Sequence, residues 1–151
     1  MNFIKETPEN INELVSKAGD KTSWNNRLDA VQELGKYDCQ QTRDVITRIA
    51  LHDRVFKVKE TAFRIAQGLG ITKNGKPIFL GKKDIGYKPS DFKKIFQRVK
   101  RESKMDDFDL KTFKEKFKSI NPEMYDVLTY EKGNKFDNWI ENSYKSLPKE
   151  K

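Results

Sequence analysis

Four stretches within the first 70 residues repeat one apolar rhythm, i, i+3, i+4, i+7, and residues that start or stop helices separate them. In TPENINELVSKAGD, Ile11, Leu14, Val15 and Ala18 fall on one face, Thr7 and Pro8 read as N-cap and first helical residue, and Gly19 reads as the stop. In SWNNRLDAVQELGKY, Ser23 reads as the cap, Trp24, Leu28, Val31 and Leu34 form the apolar side, and the helix ends near Gly35. DCQQTRDVITRIALH offers Asp38 and Gln41 as a capping box ahead of Val45, Ile46, Ile49 and Ala50. DRVFKVKETAFRIAQGLG places Asp53 as cap, turns Val55, Val58, Ala62, Ile65, Ala66 and Leu69 inward, and closes with Gly68 and Gly70. Four helices joined by connections this short must pack as antiparallel neighbours, so the expected fold class is all-α.

The helices also resemble one another. Sliding the chain by 32 residues superposes Arg27 on Lys59, Ala30 on Ala62, Val31 on Phe63 and Leu34 on Ala66, a spacing that fits two helices and two turns per unit. The stretch running Asp53, Val58, Lys59, Ala62, with Arg27-Leu-Asp-Ala30-Val-Gln-Glu-Leu34 as a partial second copy, resembles the HEAT-repeat family over residues 8–70. Lys59 stands where that family usually has arginine. The resemblance implies a right-handed stack of helical hairpins whose concave face grips a protein or a nucleic acid, and it implies no chemistry. In it the Asp caps its helix, the small Ala lets helices approach, and the basic residue answers the Asp of a neighbouring repeat. Such stacks usually need three or more repeats to bury a continuous core, and two can be read. The remainder of the chain is therefore expected to cover the open end.

After Gly70 the pattern changes. ITKNGKPIFLGKKDIGYKP holds several glycines and two prolines, which exclude a continuing helix. Asn74-Gly75 is a tight-turn signal, while Pro77 weakens strand pairing, so residues 71–89 read as a basic linker with a small β-hairpin as the alternative. Helical periodicity returns with Ser90 as cap and Phe92, Ile95, Phe96 and Val99 inward. Asp109 is expected to cap a helix burying Leu110, Phe113, Phe117 and Ile120. Asn121 and Pro122 open another, and Phe136, Trp139, Ile140 and Tyr144 line a last one ending at Pro148. The division is thus 1–70 HEAT-like repeats, 71–89 linker and 90–151 helical C-terminal subdomain. A helix-turn-helix reading of residues 109–130 fails on charge, because its second helix carries Glu123, Asp126 and Glu131 where a groove-reading helix is basic or neutral.

Charge supplies the functional argument. The net charge is +8, and it is unevenly placed: residues 1–70 carry 11 basic against 10 acidic side chains, residues 71–104 carry 11 against 3, and residues 105–151 carry 9 against 10. The candidate binding surface is Lys82, Lys83, Lys93, Lys94, Arg98, Lys100, Arg101 and Lys104. It reads either as the solvated face of a helix or as an anion-facing surface. Phe79 and Tyr87, which lie in or beside that segment, are read as packing residues rather than as platforms for bases.

Catalytic constellations are missing from the reading. The one histidine, His52, stands at a helix end, and the one cysteine, Cys39, excludes an intrachain disulfide. One His and one Cys make no zinc set, and no phosphate loop, nucleophile elbow or HExxH is present. Asp106, Asp107 and Asp109 lack calcium-loop spacing. Some HEAT-like proteins are DNA glycosylases, with which Trp24 and Asp29 suggest a groove, but no motif carries residues across. No apolar run approaches the ~20 residues that span a bilayer. The expectation is a cytoplasmic, non-enzymatic binding protein without cofactor, metal or membrane. It docks on a protein partner as adaptor or inhibitor, or alternatively binds nucleic-acid phosphates through residues 82–104 with little sequence preference.

Overall fold

The structure, a computed structural model, describes residues 2–147. It is all-α apart from one two-stranded hairpin, and it divides into two compact units, Met1–Ile85 and Gly86–Lys151.

The first unit contains α1 (Ile11–Ala18), α2 (Trp24–Leu34), α3 (Gln40–His52) and α4 (Phe56–Leu69). Helix α1 packs on α2 and α3 on α4, while α1 meets α3 and α2 meets α4, so two helical hairpins are stacked. The apolar stripes close between them. Ala30, Val31, Leu34, Ile46, Ala50, Val58, Ala62 and Ala66 are wholly buried, and the alanines among them permit close helix approach. Gly35, at the end of α2, serves the same end: a Cβ there would stand 2.4 Å from the Ile65 Cδ1 atom of α4. Helix α4 stops at Gly70, whose φ of 69° is left-handed. Ile71 N–H bonds to the Ala66 carbonyl at 3.0 Å and Gly70 N–H to the Gln67 carbonyl at 3.1 Å, which is a Schellman motif.

Several helix starts differ from the sequence expectation, each for a local reason. Helix α1 begins at Ile11 and not at Pro8, because Pro8 opens a turn closed by a 3.1 Å bond from Ile11 N–H to its carbonyl. Thr7 instead hydrogen-bonds Cys39. Asp38 forms no capping box; its carboxylate takes the Arg43 guanidinium at 2.7 and 3.1 Å, and extended Cys39 is the N-cap residue. Asp53 lies two residues ahead of the α4 N-cap, Val55, whose N–H it accepts at 2.9 Å. Ser23 caps α2 as expected, accepting from Asn26 N–H at 3.1 Å. Leu28 is only half-buried, and Arg27 takes the interior position beside it.

Beyond Gly70, Thr72–Lys73 (β1) and Lys76–Pro77 (β2) pair antiparallel, with Thr72 opposite Pro77 and Lys73 opposite Lys76. Asn74 (φ 55°) and Gly75 (φ 76°) both take the left-handed conformation of a type I′ turn. The chain then runs back along α4. Ile78 is buried, the Lys83 ammonium lies 5.1 Å over the Phe56 ring, and Arg54 donates to the Ile85 carbonyl at 2.9 Å. Residues 78–85 thus form a strap over the last helix of the hairpin stack.

The second unit contains α5 (Pro89–Ser103), α6 (Leu110–Ile120), α7 (Pro122–Lys132), a 3₁₀ turn (Gly133–Lys135) and α8 (Phe136–Lys145). Helix α6 packs against α5, α7 and α8, and α8 closes on α5 and α7. Phe96 stands edge-on to Phe113 and Phe117 at centroid distances of 5.0 and 5.2 Å, and to Trp139 at 5.3 Å. Such edge-to-face contacts are the favoured geometry for rings, and they build a core from a sequence poor in aliphatics. Asp109 caps α6 through Thr112 N–H and Asn121 caps α7 through Met124 N–H, as expected. The expected Ser90 cap is replaced: Lys88 is the N-cap, Pro89 is the first helical residue, and Asp91 accepts from Lys88 N–H at 2.7 Å. Proline's fixed φ favours that first position, which puts Ser90 inside the helix. The last helix ends at Lys145, and Pro148 lies outside the described residues.

Candidate anion-binding surface

Helix α5 is held by its apolar stripe, with Phe96 and Val99 buried and Phe92 and Ile95 half-buried. At 3.6 residues per turn, the cations then spread over an opposite arc of roughly 160°. Lys93, Lys94, Arg98, Arg101 and Lys104 are exposed. From Lys93 to Lys104 the ridge runs roughly 16 Å at a helical rise per residue.

The predicted cations are not equivalent. Arg98 is tied to Glu102 one turn on, and Lys116 of α6 approaches the same carboxylate at 3.6 Å. The Arg98 hydrogen bond holds Glu102 below the usual carboxylate range. Lys100 is half-buried, its ammonium 5.3 Å over the Tyr144 ring, which makes it a packing residue as much as a surface charge. Lys93, Lys94, Arg101 and Lys104 have no acidic partner among the described residues. Lys82 and Lys83 belong to the first unit, where both are exposed and Lys83 covers Phe56. The eight predicted residues therefore fall into two groups, one on each unit.

Phe79 departs from its sequence reading as a packing residue. It is 85% exposed. Tyr87 does pack, half-buried with its ring 6.1 Å from Phe92. An exposed Phe directly after a buried Ile carries no periodic signal, so sequence reasoning had nothing with which to place it.

On α6 and α7 a depression of about 390 Å³ is lined by Leu110, Lys111, Lys114, Glu115, Lys118 and Tyr125. Its lysines are partly engaged: Lys114 pairs with Asp137 at 2.8 Å, and Lys118 lies 5.9 Å over Tyr125. Among the described residues no group of three or more His, Cys, Asp or Glu is placed to hold a metal ion, and no helix is long and apolar enough to cross a membrane. His52 is exposed at the end of α3. Burial pushes the Cys39 thiol up, but hydrogen bonds involving Thr42, Thr7 and Gln41 outweigh it and leave the thiol below its ordinary value.

The geometry offers a ridge of ammonium and guanidinium groups with a water-facing approach. It can neutralise a chain of anionic groups. Comparison with family models, with curated proteins and with solved structures gives no match to this chain.

Proposed function

We propose that this protein is a non-enzymatic binding protein that grips the phosphate backbone of nucleic acid through the α5 ridge, with little sequence preference. One observation carries the reading: α5 exposes Lys93, Lys94, Arg98, Arg101 and Lys104, whereas the only exposed large hydrophobics among the described residues are Ile4 and Phe79. A stable protein interface is built around an apolar centre, and such a centre is not offered by two isolated side chains. A phosphate backbone needs none, because released counterions supply the affinity.

The reading as a protein-docking adaptor or inhibitor ranks second. It draws on the HEAT-like stack that we infer for the first unit. That inference is supported by the Arg27 guanidinium, which crosses from the first hairpin to Asp53 ahead of α4 at 2.9 and 3.3 Å. This is the contact between repeats that the family pattern implies.

The test is fluorescence anisotropy of labelled random-sequence DNA, duplex and single-stranded, titrated at about 50 and about 200 mM salt. Four unpartnered cations on phosphates imply that duplex affinity falls roughly a hundredfold across that range. Replacing Lys93, Lys94 and Arg101 by Glu is expected to abolish duplex binding while the helical circular dichroism is kept. Absence of binding at the lower salt refutes the proposal, as does binding that ignores the three substitutions.

A further inference from the structure

Phe79 is the most exposed large hydrophobic side chain among the described residues, and its position is anchored rather than adrift. Ile78 before it is buried, and the strap after it is fastened by Lys83 over Phe56 and by Arg54 on the Ile85 carbonyl. The ring is thus projected from a fixed backbone.

The chain on either side of it is cationic. In the β1–β2 register Lys73 stands directly opposite Lys76. Like charges in that position weaken a hairpin, and a bound anion would relieve the repulsion. Lys82 follows three residues after Phe79, as Lys76 precedes it by three. Lys73, Lys76 and Lys82 are all exposed and have no acidic partner among the described residues.

An exposed aromatic ring in a lysine-rich segment matches the chemistry of a nucleotide in a flexible strand: a base to stack and phosphates along the backbone. In a duplex both faces of each base are already stacked on neighbours, so only an unpaired base can use the ring. We infer that the hairpin and strap form a stacking site for an unpaired base of single-stranded nucleic acid, with Phe79 as the platform and Lys76 and Lys82 on the adjoining phosphates. The inference rests on the nucleic-acid reading above and is independent of α5, since this site lies wholly in the first unit.

The experiment uses the full-length chain and a short DNA single strand containing 2-aminopurine, whose fluorescence is quenched when it stacks. The same strand annealed to its complement is the control, both at about 50 mM salt. The intact chain is expected to quench the single strand, and Phe79→Trp to keep the quench. Phe79→Ala is expected to lose it and to weaken single-strand binding roughly tenfold while leaving duplex binding unchanged. Phe79 is so exposed that its removal leaves no cavity, and unchanged circular dichroism checks the fold. Quenching that survives Phe79→Ala overturns the inference, and so does an equal loss on single strand and duplex. If the α5 triple charge reversal abolishes all binding while Phe79→Ala does nothing, the stacking site alone falls. If Phe79→Ala acts as expected and the α5 reversal does nothing, the α5 reading alone falls. A chain that binds no nucleic acid overturns both.

Discussion

Replacing Arg27 by Met tests whether the hairpin stack depends on one buried ion pair. The side chains of Arg27 and Asp53 are 8% and 5% exposed, and Nε and Nη2 meet the two carboxylate oxygens at 2.9 and 3.3 Å. A third bond, from Nη1 to the Asp20 carbonyl at 2.9 Å, links the pair to the α1–α2 turn. Without Arg27, the Asp53 carboxylate remains buried with only the Val55 N–H as a described donor. Breaking a buried pair in this way costs about 3–5 kcal/mol, because the loss is the stranded charge and not merely the contact. With a urea dependence of about 1.5 kcal/mol/M, the midpoint of the first unit should fall by roughly 2–3 M. The assay is urea unfolding followed by Trp24 fluorescence in a Trp139→Phe background, since Trp24 lies in α2 and Trp139 in the other unit. Adding Asp53→Asn to Arg27→Met removes the stranded charge but keeps an acceptor for Val55, and it should restore at least half of the loss. A cost below about 1 kcal/mol, the value of an exposed pair, would refute the reasoning. So would a double variant whose loss equals the sum of the two singles.

Gly35→Ala should destabilise the first unit by about 1–3 kcal/mol in the same assay, because the added methyl meets Ile65 at 2.4 Å and the Val31 carbonyl at 3.1 Å. Ser23→Ala should cost about 1 kcal/mol through the lost cap on Asn26 N–H, and Ser23→Asp should largely spare it. Asp20 is held below the usual carboxylate range by the Thr22 hydroxyl, then by the Asn26 amide and the Thr22 N–H. A carboxyl whose folded value is depressed stabilises above its unfolded value and loses that contribution as pH falls toward the folded one. Unfolding of the first unit should therefore become easier as pH drops below about 4, and Asp20→Asn should flatten that acid limb.

The apolar rhythm was legible because period and burial are the same fact: a stripe at i, i+3, i+4, i+7 has one way to leave water. It located α1 to α8 and, Leu28 apart, the inward faces of all but α7, for which only the start was read, and the Asn74-Gly75 signal located the hairpin despite Pro77. The errors cluster at helix starts. Thr7, Asp38, Asp53 and Ser90 each have a cap's chemistry, yet three of them are engaged elsewhere and the fourth yields to a proline. Local propensity does not disclose that Asp53 has a partner 26 residues upstream. The burial of Arg27 was hidden for the same reason, since a charged side chain signals solvent until its counter-ion is seen. The basic segment was visible as composition, but composition cannot separate Arg98, neutralised by Glu102, from Arg101. Nor does it place Lys82 and Lys83 on a different unit from the rest.

The strap of residues 78–85 bears on how far such an architecture can grow. A stack of helical hairpins has no intrinsic length, because every added unit presents the next one with the same kind of surface. Residues 78–85 meet the first unit at Phe56, the first residue of α4, and at Arg54 just before it, and the strap is too short and irregular to offer a further hairpin the surface of a helix. A substitution that frees it, such as Ile78→Asp, is expected to uncover part of the first unit, and light scattering over a range of protein concentrations reads whether that surface then associates.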